Sequence, residues 1–389
     1  MQYDVVVVGA GIQGAGVAQA AAAAGYSVLV LEQSSVAAGT SSKSSKLIHG
    51  GLRYLESFQL SLVRESLQER ALLLELAPDL VKRVPMHIPV YRGASRSPTL
   101  IATGLWLYRA LAGFGEDSEF SRLHRSQWAA LDGIRTDGLQ AVYRYMEAQT
   151  DDAALTRAVL RSAQSLDAEL VMPAQLIGAE CQDHRCVVRY REGDKEQEIT
   201  AGVLVNCAGP WVNQVIERVT PALVPPKVDL VQGSHLLLPA SLKHHFYLES
   251  PEDKRAVFAL PWQGQLLLGT TETVHTDAPE QARCLDSERD YLLSILAHYF
   301  PGLAVPPESV KGFAGLRVLP KSDGSAFGRS REVLFHADNE AKPRVLSVMG
   351  GKLTTYRATA QDVIKRLRPS LPDRRALANT ARLPLKPVS

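Results

Sequence analysis

Apolar residues in this chain gather in short unbroken runs between glycine-rich turns. The first, Val5–Val8, is four valines in a row. A β-branched run of that length predicts a strand buried on both faces, the habit of parallel sheets. Gly9–Gly14 follows directly, and an alanine-rich stretch over 15–24 predicts a helix stopped by Gly25, where φ > 0 is wanted. Residues 27–31 form a second buried run, closed by Glu32. A comparable unit starts at Thr150, where Asp151 and Asp152 mark a helix N-terminus. Leu155, Val159, Ala163 and Leu166 then share one face, and a strand is predicted over 169–172. Alternating stretches at 174–180, 185–191 and 196–200 read as a β-meander. The run 203–207 reads as a buried strand entering the small-residue turn Ala208–Gly209. Later, 226–238 and 256–271 read as strand and 286–299 as helix. A last strand, 346–349, enters Gly350–Gly351.

Composition narrows the class. The chain has 389 residues, 46% hydrophobic and 22% charged, which excludes a disordered, collagen-like or purely coiled-coil protein and implies two or three domains. Lys and Arg number 43 against 41 acids, so no global field points to nucleic acid. The four cysteines, at 181, 186, 207 and 284, make no CxxC pair, so neither a disulfide framework nor a metal site is expected. A reducing, cytoplasmic setting follows as the simplest expectation. Met1–Asp4 lacks the basic region of a signal peptide, and no window of 18 residues is free of polar interruption, so no membrane-spanning helix is predicted.

The first strand-turn-helix-strand unit carries chemistry. Gly9, Gly11 and Gly14 fit G-x-G-x-x-G, in which the glycines permit a tight turn, approach to a pyrophosphate and close helix–strand packing. Phosphates would lie on the helix N-terminus, and Glu32 is placed to accept from a ribose. Glu32, without a nearby arginine, argues against NADP. NAD and FAD remain open at this point. The order of the second unit, helix, strand, meander, buried strand, resembles flavoproteins of the glutathione-reductase type and favours FAD. The segment 33–54 reads either as a serine-rich linker or as a functional loop; Lys46–Tyr54, with Gly50–Gly51 beside Arg53, favours the loop, its Gly-Gly lying flat on a planar ring. Residues 350–357 are again glycine turn and helix start, suited to holding negative charge.

TSSKSSKLIHGGLRYLE (40–56) and GGKLTTYR (350–357) closely resemble signatures of the FAD-dependent sn-glycerol-3-phosphate dehydrogenases and α-glycerophosphate oxidases. NCAGPWV, QGSHLLLP, GTTE and GLRVLP fall between them in matching order. The resemblance covers nearly the whole chain to about residue 368. It implies an α/β fold: a Rossmann-like FAD-binding domain of glutathione-reductase type, interleaved with a substrate domain of mixed β-sheet plus helices. It also implies hydride transfer from C2 of glycerol 3-phosphate to flavin N5, giving dihydroxyacetone phosphate, with electrons passed to a quinone or oxygen. Residue by residue, it implies that FAD contacts Gly9, Gly11, Gly14, Glu32, Ser41, Ser42, Lys46, His49, Gly50, Ala208, Gly209, Gly351, Lys352 and Leu353. Substrate would meet Arg53, Tyr54, Thr270, Arg317 and Arg331, with His235, Lys352 and Arg317 catalytic. The chemistry agrees: a secondary alcohol losing hydride needs a base for its hydroxyl proton, for which His235 is the candidate, and a phosphate dianion suits guanidinium forks.

Two departures stand out. Glu272 occupies a position where the family has Asp, and only 32 residues follow Arg357 where relatives continue into a helical C-terminal domain. These last residues are basic, seven cations against Asp373 over 365–389, and read as a solvated tail or as a peripheral contact with anionic lipid. We expect the FAD-binding domain to take 1–75, 145–225 and 312–389, and the substrate domain 76–144 and 226–311. Two other readings remain: a flavin enzyme acting on a D-2-hydroxy acid or amino acid, and a non-catalytic flavin-binding protein.

Overall fold

The computed structural model describes residues 2–182, 184–321 and 333–388. The opening valines form β1 (Gln2–Val8), with Val5, Val6 and Val7 wholly buried. A tight turn leads into α1 (Ile12–Ala23), which is buried at every residue but Gln13, and then to β2 (Val28–Leu31). A helix apolar on all sides must be enclosed on all sides. α1 lies against β1 and β2 and touches helices Asp152–Gln164 and Tyr356–Leu367. The former starts where expected, its Asp151 side chain accepting from the Ala154 N–H at 2.9 Å.

Five parallel strands centre the first sheet: Glu169–Val171, β2, β1, the second half of Lys195–Asn206, and Val345–Met349. The meander Gln175–Gln182, Arg185–Glu192 and Lys195–Asn206 extends it antiparallel. Cys181 and Cys186 stand directly opposite each other in this meander and are joined as a disulfide, contrary to the expectation from cysteine spacing. Register across a hairpin, not a CxxC pattern, brings them together.

The second sheet is mixed. Its longest pairs are Val81–Tyr91 with Leu139–Thr150, and Val228–Leu238 with Lys311–Pro320. One face packs against helix Asp286–Tyr299 through Leu292, Ile295 and Leu296; the other packs against helices Leu60–Leu76 and Pro98–Leu111. The expected single apolar stretch 256–271 is a hairpin, Ala256–Trp262 and Gln265–Gly269. Two segments expected above in the cofactor-binding part pair in this second sheet: Leu47–Ile48, and residues 312–320 of strand Lys311–Pro320. The chain therefore crosses between the sheets within the serine-rich segment and again after Pro320.

The basic C-terminal stretch is not a free tail. Leu377 and Ala378 donate backbone bonds to the Ala23 carbonyl (2.8 and 3.1 Å), Leu385 donates to Leu76 O (2.7 Å), and Leu371, Thr380 and Leu385 are buried. Among the described residues no helix is long and apolar enough to cross a membrane.

Candidate functional site

The turn after β1 is a cradle that only glycine can form. Gly9 has φ +100°, and a Cβ there would lie 2.7 Å from the Cys207 carbonyl oxygen; a Cβ on Gly14 would collide with the Gly9 carbonyl. The first N–H groups of α1 are thereby left facing open space beside Gly11, where helix geometry favours an anion. Ser41 Oγ occupies part of that position, accepting from the Ile12 N–H at 2.8 Å. Glu32, at the end of β2, accepts from the Ala10 N–H (2.8 Å) and the Ser34 N–H (2.9 Å) and lines the same space. Gln13 bridges to the Gly350 carbonyl through Nε2 (3.4 Å), while its buried Oε1 has no partner among the described residues. A glycine cradle, a carboxylate one strand away and an orphaned amide oxygen fit a dinucleotide with an adenosine at the Glu32 side.

A cavity of about 590 Å³ joins this cradle to the second sheet, within the usual size of a cofactor pocket. Of the sequence-predicted residues it is lined by Gly9, Gly11, Glu32, Ser41, His49, Tyr54, Ala208, Gly209, His235, Arg317, Gly351, Lys352 and Leu353. Gly14 lies beneath the cradle. Ser42, Lys46, Gly50, Arg53 and Thr270 do not line it, and Arg331 falls outside the described residues.

Lys46 was placed along the flavin by resemblance; its ammonium instead turns inward to Asp152 Oδ1 at 2.5 Å and to the Ser42 carbonyl at 2.7 Å. Asp152 is fully buried and also accepts from Ser44 N–H (2.9 Å) and Ser44 Oγ (2.7 Å). Lys46 has φ 59°, uncommon for a residue with a side chain, and this buried pair holds it there. Gly50 is likewise enclosed, its N–H directed at Glu147, which pairs with Arg70 (2.5 Å) and accepts from Tyr108 Oη (2.5 Å).

On the second sheet, Val231 pairs with Arg317 and His235 with Phe313. Gly233, between them, has no side chain to block the guanidinium: a Cβ there would meet Arg317 Nη2 at 2.8 Å and Thr270 Oγ1 at 2.7 Å. Arg317 therefore lies across the strand beside His235, donating to Glu272 Oε1 (3.1 Å) and Thr270 Oγ1 (3.4 Å). Glu272 also faces Arg53 at 3.9 Å, so this departure from the family places a buried carboxylate between two arginines. His235 stacks on Phe313 (5.2 Å, 11°), its Nε2 lies 2.8 Å from Ser45 Oγ, and its buried Nδ1 has no partner among the described residues. Burial, with Arg317 and Lys46 nearby, pushes the imidazole pKa down to about 3, so the ring is neutral at pH 7. Lys352 precedes helix Tyr356–Leu367 by four positions; its ammonium lies 4.0 Å above the Tyr54 ring and bonds Ser66 Oγ at 3.1 Å.

Sequence reasoning passed over Ser45, Asp152 and Thr354, all of which line the cavity. Ser45, like Ser44, lies in the same motif as Ser41 and Ser42, the two serines that the resemblance selects. Asp152 was read only as a first-turn acid, although a second acid beside an N-cap Asp is a signal that one of the two has another partner.

The family model described as DAO, FAD dependent oxidoreductase, matches residues 4–357. The chain is 35% identical over 380 residues to a glycerol-3-phosphate dehydrogenase of Pseudomonas aeruginosa, covering 94% of this chain and 72% of that protein. It is 33% identical over 375 residues to an aerobic glycerol-3-phosphate dehydrogenase of Staphylococcus aureus, covering 93% of this chain but only 66% of the relative. The fold matches the glycerol-3-phosphate dehydrogenase from Bacillus halodurans, solved with FAD, at a TM-score of 0.77 and 26% identity, over 99% of this chain and 68% of that one.

Proposed function

The chain belongs to the FAD-dependent oxidoreductase family, and on that premise we propose that it oxidises the secondary alcohol of sn-glycerol 3-phosphate to dihydroxyacetone phosphate. The observation that carries the substrate is the grouping of cations at one side of the cavity. Arg317 lines it, Arg53 stands behind across Glu272, and Lys352 enters from the opposite segment. A phosphate dianion is the ligand such forked donors suit best, and a single carboxylate needs fewer of them.

When bound, FAD supplies the two-electron acceptor for the hydride lost by the carbinol carbon. The remaining work falls to side chains. Arg317, oriented by Glu272 and Thr270, fixes the phosphate and hence the position of C2. His235, neutral and with an unpartnered ring nitrogen, takes the hydroxyl proton, and Ser45 orients its ring. Its low proton affinity in the free protein comes first from burial and then from the charges of Arg317 and Lys46. A phosphate dianion on the Arg317 guanidinium offsets that part of the repulsion. Lys352, held over Tyr54, places positive charge beside the glycine turn Gly350–Gly351.

The test is anaerobic mixing of the yellow protein with candidate reductants. Glycerol 3-phosphate should bleach the flavin absorbance while D-2-hydroxy acids and amino acids leave it; bleaching by one of the latter alone, or by none, defeats the proposal. Lys352→Ala should slow the bleaching by about 10²-fold. Reoxidation by air or by a quinone analogue then tells which acceptor takes the electrons.

A further inference from the structure

A second cavity, of about 310 Å³, opens in the second sheet and shares no lining residue with the first. It is bounded by the end of strand Val81–Tyr91, the turn that follows, and strand His245–Glu249. Three cations face it without a carboxylate partner among the described residues. Arg135 lies over the Tyr91 ring at 4.9 Å and donates to His298 Nε2 at 2.9 Å, while its buried Nε has no acceptor. The Lys254 ammonium donates to the Pro251 carbonyl (3.0 Å), and among the described residues neither it nor the Arg92 guanidinium has a carboxylate partner. A fourth cation, Arg96, is neutralised by Glu56 and Glu249, and Glu249 is further bonded to the Ser95 N–H (2.8 Å). Glu249 is the only acid on the cavity wall, so its charge is already answered.

Two further features point to a ligand. The Tyr247 hydroxyl belongs to a side chain only 8% exposed, lines the cavity, and has no hydrogen-bond partner among the described residues. Tyr91 and Tyr299, by contrast, spend their hydroxyls on the Arg135 and Glu249 carbonyls (2.6 and 2.5 Å). His298 is neutral, its pKa lowered by burial and by Arg135 and Lys254, so it orients the guanidinium without cancelling its charge. Three unpaired cations gathered round one recess repel one another, and a multiply charged anion relieves that repulsion.

We propose that this recess is a second binding site for a phosphate-class anion, held by Arg92, Arg135 and Lys254, with the Tyr247 hydroxyl as a neutral donor. Either inorganic phosphate or the phosphate of a small monoester has this chemistry. The site stands independently of the reaction assigned to the first cavity, and its test involves no turnover.

FAD-loaded protein carrying Arg317→Gln, to weaken the first cavity, is titrated calorimetrically with inorganic phosphate and with glycerol 2-phosphate. One site should remain, and adding Arg135→Gln with Lys254→Gln should weaken it at least about tenfold, since both charged donors to the anion are lost. Tyr247→Phe, which removes only the hydroxyl, should weaken it by about threefold and decides the matter where the double variant does not fold, unchanged affinity then overturning the proposal. Tighter binding of the ester would identify a monoester as the occupant; equal or tighter binding of phosphate would identify the free ion. Absence of a site in the Arg317→Gln protein, equal affinity with and without Arg135 and Lys254, or equal displacement by succinate overturns the proposal.

Discussion

Lys46 shows how far a side chain's role depends on a partner distant in sequence. Within its motif it is one more cation near a cofactor, and resemblance placed it there. In the folded chain its ammonium is 2.5 Å from Asp152, 106 positions away, and both side chains are nearly or wholly buried. Local pattern carries no information about such a pairing, because burial of the acid is fixed only when α1 and helix Asp152–Gln164 pack together. Breaking a buried pair on one side strands the other charge, which costs about 3–5 kcal/mol. Lys46→Met should therefore lower unfolding free energy by that amount in urea titration, whereas the double change Lys46→Met with Asp152→Leu should recover most of it. Equal stability of Lys46→Met and wild type would remove the structural role argued for the pair. Arg317 and His235 illustrate the opposite situation. Strand alternation alone puts residues 231, 233 and 235 on one face, so the glycine gap between them was readable, but the cross-strand register that brings Arg317 over it was not.

At the scale of elements, strand, helix and turn assignments were legible wherever apolar runs met glycine. β1, β2, helix Asp286–Tyr299 and the meander all formed where periodicity put them, within a few residues. What pattern could not give was sheet membership. Leu47–Ile48 is too short to signal a strand, and Lys311–Pro320 is equally apolar in either sheet; pairing partners decide both. The cradle after β1 is the element on which cofactor retention depends most sharply. Gly14→Ala drives a methyl into the Gly9 carbonyl, and that backbone cannot yield without moving β1 or Cys207. The variant should bind FAD at least about tenfold more weakly in titration of the apoprotein, the change in Kd that about 1.4 kcal/mol of binding free energy produces. A Kd like that of wild type would mean that the turn relaxes more freely than its contacts allow.

Across the whole molecule, three histidines lie in the second sheet with depressed proton affinity. His235 falls to about 3, and His87 and His245 each to about 4, burial being the first cause in every case. His87 bonds the His245 carbonyl at 3.2 Å, and its ring meets that of His244 edge-on at 5.1 Å, with Asp132 bound to His244. Protonating His87 or His245 would set its charge beside neighbouring rings, so both stay neutral at pH 7, as buried His235 does. In the unfolded chain each takes a proton near pH 6.5. Below that pH the unfolded state binds more protons than the native one, so stability falls as pH drops towards 4 and levels off once the native sites begin to titrate. Each histidine contributes a slope of up to ~1.4 kcal/mol per pH unit, and together they approach ~4 between pH 5.5 and 4.5. Glu147 acts in the other direction, since burial raises its pKa and the native state gains its proton first, which makes the observed slope shallower. Urea unfolding at pH 7.0, 5.5 and 4.5 measures the slope directly. The double variant His87→Gln, His245→Gln is expected to lose stability at pH 7 but to lose markedly less on acidification than wild type; parallel curves for the two would assign the acid sensitivity to carboxylates instead.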